Sequence, residues 1–171
     1  MARSATLGIL LLVSQTLAGA ASDSSGSKVG NFRSVATKFW VEHAIQDAAR
    51  RLHDPECQRV LTDLSDPQGN SLDSRLTTLG VSAADYLTKW LYVVDGSDNP
   101  QCDPKLHVAA FTQRGRRVMF ICAPHGLDAA FSPARSGTTV IIHEMLHSLG
   151  LGENPPSSRQ ITQRVVKRCG G

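Results

Sequence analysis

The sequence predicts a single α+β domain from three observations. A long helical period lies early in the chain, a strand-turn-strand pattern in its middle, and an apolar helix carrying two histidines near its end. Taking the elements in order, Phe32, Val35, Phe39, Ile45, Ala49 and Leu52 recur at helical spacing, so residues 32–53 form one long amphipathic helix closed by Asp54 and Pro55. Residues 57–64 add a short helical piece before the turn-rich stretch 65–71. Leu72, Leu76 and Leu79 share a face of another helix stopped at Gly80, and Ser82 caps a segment running towards Trp90. Residues 91–94 are β-prone and end at Asp95-Gly96. Residues 106–112 and 117–122 flank Gln113-Arg114-Gly115-Arg116, which reads as a β-hairpin. The next helix starts at Ser136-Gly137-Thr138-Thr139, and Val140, Ile141, Ile142, Met145, Leu146 and Leu149 make it apolar on nearly every side except one. Asn154-Pro155-Pro156 stiffens the loop after it, and Ser157 or Ser158 caps a last helix with Ile161, Val165 and Cys169 on one face.

The N-terminus sets an expected compartment. Arg3 gives a positive start, residues 7–17 are a short apolar run, and Ala18-Gly19-Ala20 fits the small-x-small cleavage rule, so residues 1–20 read as a signal peptide cleaved near Ala20. The apolar run is too short for a stable membrane anchor. Residues 21–30 are Ser- and Gly-rich and read as a flexible leader, which leaves 31–171 as the folded domain. The protein is then expected to be secreted or periplasmic. In that oxidising setting Cys57, Cys102, Cys122 and Cys169 form two disulfides, with three connectivities open. One of them, Cys122 with Cys169, would tie the terminal segment beside the histidine helix. The chain holds 18 Lys and Arg against 15 Asp and Glu with low aromatic content, a balance that gives nucleic-acid binding no support.

The chemistry is carried by His143-Glu144-Met145-Leu146-His147. Four residues are about one helical turn, so both imidazoles project from the same face and can reach one metal ion. Glu144 beside them cannot easily share the first coordination sphere, but it can take a proton from an attacking water and pass it to a leaving amine. A buried helix with two His and a Glu on its one polar face needs a partner for those groups, and a metal supplies one. Gly150 can adopt the left-handed turn that ends a helix and brings Glu153 round to face the metal.

The whole run, H-E-x-x-H-x-x-G-x-x-E over residues 143–153, resembles the metzincin branch of the zincin metallopeptidases, whose motif ends in His. By position the resemblance implies His143 and His147 as zinc ligands, Glu144 as general base and Gly150 as the turn. Glu153 stands where the family has its third His ligand, and carboxylate is an ordinary zinc donor. No Asp, Glu or His follows Glu153, which excludes a ligand from a later helix, and no Met follows Met145 to form the family's Met-turn. The resemblance implies a small zincin-like α+β fold, one Zn2+ ion, and a secreted metallopeptidase acting on a peptide or protein substrate. Its sheet would offer an edge strand to extended substrate backbone. Two other readings of the same residues stay open: an inactive zincin-fold binding module, and a zinc hydrolase acting on a non-peptide amide. His43, His53, His107, His125 and Asp128 are further polar candidates near or outside the motif, and Tyr86 and Tyr92 could each stabilise an oxyanion.

Overall fold

A computed structural model describes residues 28–122 and 136–170. Its helices are α1 (Val35–Arg51), α2 (Pro55–Asp63), α3 (Leu72–Leu79), the short α4 (Ala83–Asp85), α5 (Gly137–Ser148) and α6 (Ser158–Cys169). Its strands are β1 (Lys28–Val29), β2 (Tyr92–Asp95), β3 (Ala110–Thr112) and β4 (Val118–Ile121). The fold is α+β, as expected. The residues expected to be a signal peptide, 1–20, lie outside the described ones. Lys28 and Val29, at the end of the stretch read as leader, form β1.

Side-chain caps fix most helix starts. Ser34 Oγ accepts from Thr37 N–H, Asp54 from Glu56 N–H with Pro55 at the first helical position, Ser71 from Ser74 N–H and Ser136 from Thr139 N–H. Ser157 forms a reciprocal capping box with Gln160. Asp54-Pro55 therefore both closes α1 and opens α2. Gly80, at φ 66°, ends α3 in the left-handed conformation. After α4 the chain widens into a π-turn at Tyr86–Trp90, and Leu91 N–H bonds back to Tyr86 C=O.

The four-stranded sheet has the order β1-β2-β4-β3. β2 runs parallel to both β1 and β4, while β3 pairs antiparallel with β4 as the expected hairpin, Phe111 opposite Phe120. The first hairpin strand is shorter than the apolar run suggested. Asp103 caps a 3-10 turn at Pro104–Leu106 and His107 follows at φ 51°, so extended backbone begins only at Ala110.

α5 is the centre of the molecule. Ile141, Ile142, Met145 and Leu146 are fully buried between α1 and α6 on one side and β3 and β4 on the other, against Val41 and Ile45 of α1 and Met119 and Ile121 of β4. Gly137 permits the close crossing with α1, because a Cβ there would lie 2.8 Å from both Ala44 Cβ and Trp40 Cζ2. α6 turns Ile161, Val165 and Cys169 inward, as its spacing predicts. No helix among the described residues is long and apolar enough to cross a membrane.

Two disulfides form, Cys57–Cys169 and Cys102–Cys122. The Cys122–Cys169 possibility is thus corrected. α6 packs on α2, which brings Cys169 to Cys57, while Cys122 leaves the end of β4 beside the 3-10 turn that holds Cys102. Around the first bridge, Arg168 pairs with Glu56 and Asp63, and Arg51 donates to Cys169 C=O at 2.7 Å. The two bridges close loops of very different length, with sequence separations of 112 and 20. Chain-entropy reasoning then expects Cys57→Ser/Cys169→Ser to cost about 4 to 5 kcal/mol and Cys102→Ser/Cys122→Ser about 3. Urea unfolding of the two variants checks this, and a larger loss from the short loop would refute the ordering.

Candidate metal centre

His143 and His147 occupy successive turns of α5 and face the same way because four residues nearly close one helical turn. Both are buried, and their Nε2 atoms stand 3.1 Å apart. Each ring is held from behind. His147 Nδ1 donates to Leu151 C=O at 2.9 Å, which leaves its Nε2 a bare lone pair, and His143 Nδ1 meets Thr162 Oγ1 at 3.0 Å. With the His143 proton likewise on Nδ1, two lone pairs point into the same small space. That arrangement is repulsive unless a cation lies between them.

The chain after α5 supplies the third donor. Leu151 N–H returns to Leu146 C=O, Gly150 takes φ 115°, and Asn154 at φ 61° bends the loop again before Pro155 and Pro156. A Cβ on Gly150 would touch Asp66 and one on Gly152 would touch Pro67, so the 65–71 loop backs this segment. Glu153 Oε1 consequently reaches 3.4 Å from His147 Nε2 and 3.9 Å from His143 Nε2, on a side chain that is 41% exposed. Donor atoms of the three residues lie within 4.8 Å of one another and could hold a metal ion. The triangle with sides 3.1, 3.4 and 3.9 Å has an equidistant point about 2.0 Å from each corner, the length of a zinc–nitrogen or zinc–oxygen bond.

Electrostatics agree with this geometry. Burial, reinforced by the neighbouring His147, pushes the His143 pKa down to about 4 and keeps the ring in its metal-binding neutral form. Burial also pushes the Glu144 pKa up to about 8, an effect that the Glu153 charge reinforces and Thr112 partly offsets. Thr112 is near enough to oppose the shift without a well-formed hydrogen bond, since its Oγ1 and Glu144 Oε2 are both buried without a partner among the described residues. A carboxyl oxygen left this way beside two imidazoles is an expensive arrangement for a purely structural residue. A divalent cation held by the imidazoles would draw the Glu144 pKa back down.

The site opens to solvent as two chambers. The larger, about 600 Å³, runs past Phe111, Thr112 and Arg114 to Glu153, and the smaller, about 250 Å³, passes His107, Val108, Thr139 and Thr162. The sheet edge from Ala110 to Thr112 borders the larger one, and among the described residues β3 has a strand neighbour only on its β4 side.

His143, Glu144, His147 and Glu153 are thus brought together, whereas the other candidates are not. His43 bonds Phe39 C=O on exposed α1, and His53 is exposed at the end of that helix. Tyr86 is buried against Ser148 and Tyr92 lies with Lys28 at β1 and β2, so neither lines the chambers. His107 borders the smaller chamber, and His125 and Asp128 lie outside the described residues. Thr162 escaped the sequence reading. Its only signal there is a hydroxyl next to the buried Ile161 stripe of α6. Thr162→Val should lower metal affinity about 10- to 100-fold with the thermal midpoint of the metal-free protein little changed. Chelator competition measures this, and unchanged affinity would remove Thr162 from the site.

Comparison with protein-family models, with curated proteins and with solved structures finds no match to the chain.

Proposed function

We propose that this protein is a secreted zinc-dependent metallopeptidase of zincin type, with His143, His147 and Glu153 holding one zinc ion and Glu144 as general base. The observation that carries the reading is the convergence of two imidazole Nε2 atoms and a carboxylate on one point, with the buried Oε2 of Glu144, partnerless among the described residues, beside them. Zinc bound by such a set supplies Lewis acidity toward water and toward a carbonyl oxygen. Within that setting Thr162 and Leu151 C=O orient the two rings, and Glu144 accepts the proton of the attacking water and returns it to the departing amine. The edge of β3 away from β4, unpaired among the described residues and running along the larger chamber, suits main-chain pairing with an extended peptide. The two disulfides and the apolar N-terminal run of the sequence support export.

Metal analysis of the purified protein, followed by cleavage of a broad peptide library with and without a chelator, tests the reading. One zinc per chain and chelator-sensitive cleavage at internal peptide bonds are expected. Cleavage that survives complete metal removal, or a zinc-loaded protein that cuts no peptide, would overturn it.

A further inference from the structure

Arg114 sits on the turn that joins β3 to β4, and that turn is built onto the metal centre. Gly115, at φ 74°, donates its N–H to His147 C=O at 2.9 Å, so the backbone beside Arg114 is fixed to a residue that carries a metal donor. The side chain then runs along the loop before Glu153, since a Cβ built on Gly152 would lie 3.3 Å from Arg114 Nη1 and 4.0 Å from its Cδ. This course places the guanidinium on the wall of the larger chamber, together with His143, His147 and Glu153.

Among the described residues the guanidinium of Arg114 has no hydrogen bond or ion pair, a state shared by Arg116 and Arg159, but of these three Arg114 alone lines the larger chamber. Glu153, which lines the same chamber, directs its Oε1 to the histidines. Among the described residues Arg114 is also the only Arg or Lys lining the chamber. A planar five-donor fork without a partner, held at the mouth of a cleft, is matched by a carboxylate that binds through two parallel hydrogen bonds.

We infer that Arg114 is a specificity-determining residue that receives a substrate carboxylate, either an acidic side chain or a free terminal carboxylate, close to the bond to be cleaved. The inference rests on the peptidase reading and adds to it a substrate class, acidic peptides. Because the turn is tied to α5 by the Gly115 bond, the backbone that carries the fork is fixed before substrate arrives. Because the side chain is exposed, added salt weakens the preference.

The test uses the zinc-loaded full chain and matched quenched peptides. These carry Asp, Ala or Lys at successive positions around one cleavable bond, each with a free-acid or an amidated C-terminus. kcat/KM is read for the wild type and for Arg114→Gln, Arg114→Glu and Arg114→Lys. Peptide binding is read separately by anisotropy in a Glu144→Gln background, where no turnover is needed. The wild type should favour the acidic peptide over its Ala counterpart by about tenfold or more. Arg114→Gln should erase that ratio, Arg114→Glu should turn it toward the Lys peptide, and Arg114→Lys should keep part of it, all with wild-type metal content. Preference for Asp at one position identifies an acidic side chain, and preference for free acid over amide identifies a terminal carboxylate. Charge-selective binding without hydrolysis would leave the role of Arg114 standing and overturn the peptidase reading. Hydrolysis with the same charge ratio in wild type and Arg114→Glu would do the reverse. Loss of bound zinc in Arg114→Gln, or binding of no acidic peptide at all, would also overturn the role.

Discussion

Glu144→Gln is expected to leave bound zinc near the wild-type level and to lower peptide hydrolysis by at least about a hundredfold, the scale of general-base loss. The substitution keeps the shape of a side chain that is 7% exposed and removes only its ability to gain and lose a proton. It does not touch the imidazoles, whose outer nitrogens are held by Thr162 and Leu151 rather than by Glu144. Stability of the metal-free protein should hold, because burial raises the Glu144 pKa to about 8 and the amide then replaces a side chain that is already largely a neutral acid at neutral pH. Parallel metal analysis, thermal unfolding and kcat/KM separate these effects. Full turnover in a zinc-replete Glu144→Gln protein would remove Glu144 from the chemistry.

Glu153→Ala should weaken zinc binding strongly and abolish activity without unfolding the domain. The side chain contributes a carboxylate to the donor triangle and little to the core, being 41% exposed on a loop outside α5. Two histidines from one helix remain after the change, too few to fill the three protein positions of a catalytic zinc site. Glu153→His should recover much of the affinity, because imidazole is an equally good zinc donor and the loop geometry that aims position 153 lies in Gly150 and the Asn154-Pro155-Pro156 stretch. Zinc titration against a competing chelator reads the affinity, and circular dichroism confirms the fold. Full occupancy and turnover in Glu153→Ala would mean that the third donor comes from elsewhere in the chain.

What the sequence made legible was local. Caps, turn residues and apolar periods placed α1, α3, α5, α6 and the β3–β4 hairpin, because each is specified by residues a few positions apart. The motif placed two histidines on one helical face, and the bend at Gly150 is why a residue three positions later can face them. Contacts across long separations were not legible. β1 is two residues long and pairs with β2 more than sixty positions away, so nothing in its own composition marks it as a strand. The disulfide pairing followed from α6 docking on α2, a packing outcome that cysteine spacing does not encode. Thr162 belongs to the same class, since its role exists only once α6 lies against α5.

The hydrogen bonds behind the two imidazoles also set an order of events. Leu151 C=O and Thr162 Oγ1 belong to segments fixed by the apolar core and by the Cys57–Cys169 bridge, so the outer nitrogen of each ring has a partner that the fold itself supplies. In small zinc fingers the metal creates the fold. Here the frame that carries the donors has an apolar core and a disulfide of its own, so a bound ion is expected to add stability by mass action on a native chain, growing with the logarithm of its free concentration over Kd. Under the proposed zinc reading, such a chain is expected to mature without the ion and to become competent wherever zinc is available.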